Sequence, residues 1–106
     1  MAKQQVVFAE RKMTSGDTIN RSFTARLNGD YGHLFLTHQK LIFVEEKGFF
    51  SKTYNVTLDL PYTNIAKVHV EERNTNLTVT DTNGRTYDIA FDPASTVARY
   101  IKELKG

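Results

Sequence analysis

Apolar and polar positions alternate with a period of two along most of this chain, and only its end takes a helical period. The densest apolar stretch is Gly32–Glu46, GHLFLTHQKLIFVEE, in which two short runs, HLFLT and LIFVE, flank a polar turn at His38–Gln39–Lys40. Each run is too short for a helix and rich in aromatic and branched residues, which predicts a β-hairpin. With Leu36 facing Leu41 across the turn, Leu34 faces Phe43 on one face of the sheet. The other face then carries Phe35 against Ile42 and His33 against Val44. A hairpin that is apolar on both faces needs cover on both, or a partner to dock against.

The flanking segments follow the same period. Ile19, Phe23, Ala25 and Leu27 share one side of a strand, with Ser22, Thr24 and Arg26 on the other, and Asn28–Gly29–Asp30 turns it into the hairpin. Tyr54, Val56, Leu58 and Leu60 alternate with Thr53, Asn55, Thr57 and Asp59 until Pro61 ends the strand. A strand from about Ile65 to Arg73 places Ala66, Val68 and Val70 inward and Lys67, His69 and Glu71 outward. The first segment, Lys3 to Met13, fits either a short helix or a strand with Val6 and Phe8 on one face. The strand is the expectation adopted, followed by a turn at Thr14–Ser15–Gly16–Asp17. If Val6 and Phe8 pack over Phe35 and Ile42, that outer face is closed within the domain. Otherwise it is a surface for edge-strand pairing with a partner or a second copy.

The last hairpin defines its own register. A two-residue Asn83–Gly84 loop would set Val79 opposite Asp88 and so put an acid in the core. A three-residue loop, Thr82–Asn83–Gly84, pairs Val79 with Tyr87 and Leu77 with Ile89, which predicts a type I turn with Gly84 left-handed in a bulge. The chain then ends in a helix. Asp92 is the expected N-cap and Pro93 the first helical residue. Ala94, Val97, Ala98, Ile101 and Leu104 form its apolar stripe, and Lys102 and Lys105 suit the negative end of the helix dipole.

Seven strands from Ile19 onward and one amphipathic helix predict a mainly β domain, a sandwich or partly open barrel plugged at one end by the C-terminal helix. The stretch Gly32-His33-Leu34-Phe35-Leu36-Thr37 followed by Leu41-Ile42-Phe43 resembles the pattern of GRAM and bacterial PH-like domains within the pleckstrin-homology superfold. Leu60-Pro61-Tyr62-Thr63-Asn64-Ile65 resembles that family's segment leading into the fifth strand. The resemblance covers about Asp17 to Leu104 and concerns packing rather than chemistry. It implies a seven-stranded PH-like fold and a non-catalytic module that binds lipid headgroups, peptides or proteins. Phosphoinositide-binding PH domains usually carry a Lys/Arg cluster in the loop between their first two strands. Here that loop is Asn28–Gly29–Asp30, short and acidic, which argues against specific phosphoinositide recognition.

Composition adds limits. At 106 residues the chain forms one domain, 1–106, with 1–16 an N-terminal extension or extra strand. Such a chain buries roughly 65% of its unfolded surface, enough for stability without staples. It has no cysteine, which excludes disulfides and thiolate metal sites and fits a cytoplasmic location. No apolar run approaches the roughly 18 residues of a membrane span, and the start lacks a signal-peptide core. The Asn-x-Ser/Thr matches at Asn20, Asn55 and Asn76 are therefore read as accidental. Fourteen basic against twelve acidic residues give a net charge of +2, and the bases are interleaved with acids rather than gathered in a stripe. With a pI of about 8.9, nucleic acid is an unfavoured partner.

Chemistry-bearing residues are sparse. There is no cysteine nucleophile, nucleophile elbow or phosphate-cradling glycine loop. Asp30, Asp59, Asp81, Asp88 and Asp92 fall in turns or on polar strand faces, so no enzyme and no cofactor are expected. His33, His38 and His69 lack ligand spacing, and no metal is expected. The functional candidate is the loop Lys47-Gly48-Phe49-Phe50-Ser51-Lys52. Two aromatics flanked by lysines suit a hot spot for a protein partner, or insertion at an anionic membrane surface. The plainer expectation is that Phe49 or Phe50 folds back to cap the open end of the core. A protein partner heads the order of functions, then peripheral membrane attachment through Lys47–Lys52, then homo-oligomeric assembly through sheet edges.

Overall fold

The computed structural model describes residues 3–106, so residues 1 and 2 of the expected N-terminal extension lie outside it. Its elements run α1 (Gln4–Glu10), β1 (Ile19–Leu27), β2 (Asp30–Thr37), β3 (Lys40–Lys47), β4 (Thr53–Pro61), a 3-10 turn (Tyr62–Asn64), β5 (Ile65–Val70), β6 (Asn76–Asp81), β7 (Thr86–Ala90) and α2 (Ala94–Lys105). The seven strands form one antiparallel sheet in the order β4-β3-β2-β1-β7-β6-β5, and it does not close. β1 meets β7 only at Arg26↔Ala90 and Leu27↔Ile89, so the sheet bends there into two layers around one core. Where β1 diverges from β7, Phe23 fills the gap with its ring 4.9 Å from Phe91 and 6.2 Å from Tyr100 of α2.

The β2–β3 hairpin has the register that its apolar pattern requires: Leu36↔Leu41, Phe35↔Ile42, Leu34↔Phe43 and His33↔Val44. Gly32 opens the way for it, because a Cβ there would lie 2.7 Å from the Phe43 ring. β6 and β7 pair Val79 with Tyr87 and Leu77 with Ile89, and Gly84 has φ +83° in the connecting turn. Asp81 holds that turn. Its Oδ1 accepts the N–H groups of Asn83 (2.8 Å) and Arg85 (2.9 Å), and its Oδ2 accepts the Tyr87 hydroxyl (3.2 Å).

Two apolar clusters lie on opposite faces of β2 and β3. Leu34, Leu36, Leu41 and Phe43 join the main core under α2, whereas Phe35, Ile42 and Val44 join a smaller cluster with Val6, Phe8 and Ala9. The N-terminal segment therefore does cover the outer face, but as helix α1 and not as the expected strand. Every strand needs an edge to bond, and this segment lies across a sheet face, where only a helix satisfies its own backbone groups. Ala9, fully buried, lets the helix approach closely.

Three bulges revise the faces read from alternation. In β1 the register shifts between Ile19 and Arg21, which sends Ile19 to the outer cluster while Phe23, Ala25 and Leu27 face the core. In β4 it shifts at Thr57, so Tyr54 and Val56 pack under α1 while Leu58 and Leu60 enter the core. In β5 the shift falls between Ile65 and Lys67, which buries Ile65 and exposes Ala66, and the strand stops at Val70 rather than Arg73. An extra residue turns everything beyond it to the opposite face.

The start of α2 also departs from expectation. Pro93 occupies the cap position and Asp92 lies one residue ahead of it, so Asp92 does not cap. The cap comes from Asn74, in the β5–β6 loop with φ +62°. The Asn74 carbonyl accepts the Ala94 N–H (2.8 Å), and its Oδ1 accepts the Ser95 N–H (2.7 Å). Lys102 and Lys105 lie in the last turn as expected.

Candidate functional site

The β3–β4 connection is built from a hairpin that changes character along its length. Phe43 and Val44 are fully buried, and the next residues, Glu45 and Glu46, are carboxylates. Beyond Val44, β3 therefore offers no apolar surface for the loop to return to. Gly48, at φ +105°, turns the chain so tightly that a Cβ there would collide with the Ser51 carbonyl. Phe49 and Phe50 project past this turn, 86% and 97% exposed, with their rings edge-to-face at 4.9 Å. Neither folds back over the core, which overturns the plainer expectation. The aromatic pair is a solvent-facing prong.

The base of the prong is electrically balanced. Lys47 Nζ lies 3.4 Å from Glu45 Oε1, and Lys52 Nζ lies 3.0 Å from Glu46 Oε2. The other Glu46 oxygen, Oε1, is 3.2 Å from His33 Nε2, and the His33 ring stands edge-on to Tyr31 at 5.9 Å. The hydrogen bond from Lys52, and after it that from His33, holds the Glu46 carboxyl below its usual range against the opposing effect of burial. Glu46 in turn raises the Lys52 ammonium above its ordinary value. The two lysines expected to meet an anionic ligand are thus each matched by a glutamate of the same hairpin. Sequence reasoning singled out Lys47 and Lys52 but not Glu45 and Glu46, although the signal was present in EEK at the end of one strand and SK at the start of the next.

Several other charged residues are engaged in the scaffold. Asp59 is 2.9 Å from Lys40, and the Asp88 carboxylate accepts the Thr78 hydroxyl at 3.0 Å. Burial pushes the Asp81 carboxyl up, but hydrogen bonds from Arg85, Asn83 and Tyr87 outweigh it and leave the group below its usual range. The acidic β1–β2 turn is internally tied as well, with Arg26 donating to the Gly29 carbonyl at 3.2 Å. Among the described residues, no three His, Cys, Asp or Glu side chains gather into a group able to hold a metal ion. No helix there is long and apolar enough to cross a membrane.

A family model described as "Bacterial PH domain" matches residues 4–103. The chain belongs to the bacterial PH domain family. Among solved structures, it is similar to the C-terminal domain of an unknown protein from Leishmania infantum, at a TM-score of 0.65 and 14% identity, over 96% of this chain and 94% of that one. At that identity the likeness concerns the fold. No curated protein matches the chain. The family match begins at α1, so this PH domain includes the N-terminal helix as well as the stretch from Asp17 on which the sequence resemblance rested.

Proposed function

We propose that this PH domain is a non-catalytic binding module that holds a protein partner, with Phe49 and Phe50 inserted into an apolar pocket of that partner. The observation that carries the reading is the nearly complete exposure of two adjacent phenylalanines above a charge-neutral base. Leaving two such side chains in water serves no packing purpose, and burying both at an interface would contribute about 3–6 kcal/mol. That is the scale of a hot spot. The paired lysines favour a protein over an anionic membrane, because a lipid surface would have to separate both from their glutamates. The family supports a binding role.

Two measurements test this together. A photo-reactive phenylalanine analogue at position 50 should yield a discrete protein adduct in an extract of the source cells. Wild-type domain should compete that adduct away, and the Phe49→Ala/Phe50→Ala variant should not compete. Flotation with neutral and anionic vesicles should leave the domain unbound. Vesicle binding that the double variant loses, and that weakens as ionic strength rises, would replace this reading with membrane attachment. An adduct formed only between two copies of the chain would replace it with self-assembly.

A further inference from the structure

The prong leads directly into β4, one of the two outermost strands of the sheet, and the two edges are protected differently. Natural edge strands are guarded by shortness, lysine, proline or a bulge. β5, at the other edge, has six residues and carries Lys67. β4 has nine residues, with no charge from Thr53 through Leu58. Its bulge at Thr57 and its Pro61 guard the second half only. Among the described residues, the backbone edge of Thr53–Val56 meets no further strand.

Helix α1 runs beside this open stretch. The Phe8 ring is 5.8 Å from Tyr54, and Phe8, Arg11 and Lys12 line a groove of about 310 Å³ with Asn55 and Val56. The Arg11 guanidinium rests over the Phe8 ring at 4.9 Å. Among the described residues neither Arg11 nor Lys12 enters an ion pair, whereas the β4 acid, Asp59, is already held by Lys40. An open strand edge under two uncompensated cations selects both a backbone shape and a charge.

We infer that this groove receives an extended, acidic segment of the protein partner, added as a further strand on Thr53–Val56 with its carboxylates against Arg11 and Lys12. Main-chain hydrogen bonds supply the binding, and acids at every second position place all their carboxylates on the α1 face. The inference rests on the reading of Phe49 and Phe50 as a protein-contact site, since the prong and the edge form one continuous surface three residues apart.

The test uses the intact chain and two synthetic peptides of eight residues, alternating Thr–Glu and alternating Thr–Lys, followed by amide NMR and hydrogen exchange. At about 1 mM the acidic peptide should shift the amides of Thr53–Val56 and slow exchange among them, while the basic peptide does neither. Because Arg11 and Lys12 are exposed, Arg11→Glu/Lys12→Glu should fold normally and reverse the preference. Unchanged Thr53–Val56 amides, responses confined to another surface, or a preference that does not reverse would overturn the inference. Neither peptide offers an apolar pocket, so its response should persist in Phe49→Ala/Phe50→Ala. Failure of the peptide test leaves the cross-linking result at position 50 standing, and the reverse failure is equally visible.

Discussion

The β3–β4 and β6–β7 connections solve the same problem in different ways. Each reverses an antiparallel strand through a glycine of positive φ, Gly48 at +105° and Gly84 at +83°. The β6–β7 turn is polar throughout, and one carboxylate, Asp81, gathers two backbone N–H groups and a tyrosine hydroxyl to hold it. The β3–β4 loop is fastened only at its base, by Lys47–Glu45 and Lys52–Glu46, and carries two exposed phenylalanines at its tip. Hairpins of this fold therefore close without apolar residues. The phenylalanines are surplus to the loop's own structure, and that surplus is the ground for the protein contact proposed above.

Substitutions sharpen the contrast. Phe43→Ala, in the buried part of the same β3–β4 hairpin, should lower the unfolding free energy by about 3–5 kcal/mol in urea titration, since it opens a cavity beneath α2. Asp81→Ala should come next and lower the melting temperature by several degrees at neutral pH, because it frees two turn N–H groups and the Tyr87 hydroxyl. It should also change the acid limb of stability. The folded Asp81 carboxyl lies below its usual value, so its contribution is present above the unfolded pKa near 3.8 and is lost as pH falls through the folded value. A pH series of melting curves should show this loss in wild type and a smaller one in Asp81→Ala, where Glu46 still contributes in the same direction.

Gly84→Ala should cost about 1–2 kcal/mol, because its φ of +83° places a side chain in the left-handed region even though the space around it is open. The smallest effect is expected at the prong. Phe49→Ala/Phe50→Ala should alter stability by no more than about 0.5 kcal/mol while abolishing competition for the partner adduct. A large loss of stability in that variant would return the aromatics to the core and collapse the contrast between the two connections.

Much of the domain is readable from residue order. The β2–β3 register follows from Leu34, Phe35, Leu36 and their opposites, and the three-residue turn at Thr82–Gly84 follows from keeping Asp88 out of the core. The loop 47–52 could be singled out as a candidate site because two aromatics between lysines are unusual in a polar connection. Its state could not. Whether Phe49 and Phe50 fold inward depends on what lies beneath them, and the switch from Val44 to Glu45 had to be placed in space first. The β4-side groove was invisible for the same reason, since α1 and Asn55–Val56 meet only after folding.

Local order by itself determined seven strands, the final amphipathic helix, the main hairpin registers and the absence of thiol chemistry, because those follow from side-chain period and residue type. Tertiary structure alone decided four further points. Bulges moved Ile19, Tyr54 and Val56 to the outer cluster, since an inserted residue leaves sequence alternation intact while turning the strand over. The N-terminal segment became a helix because a sheet face, not an edge, awaited it. Asn74, twenty residues away in the chain from Ala94, took the cap expected of Asp92 because the β5–β6 loop reaches the start of α2. Lys47 and Lys52 were neutralised by Glu45 and Glu46, a pairing set by hairpin geometry and not by composition.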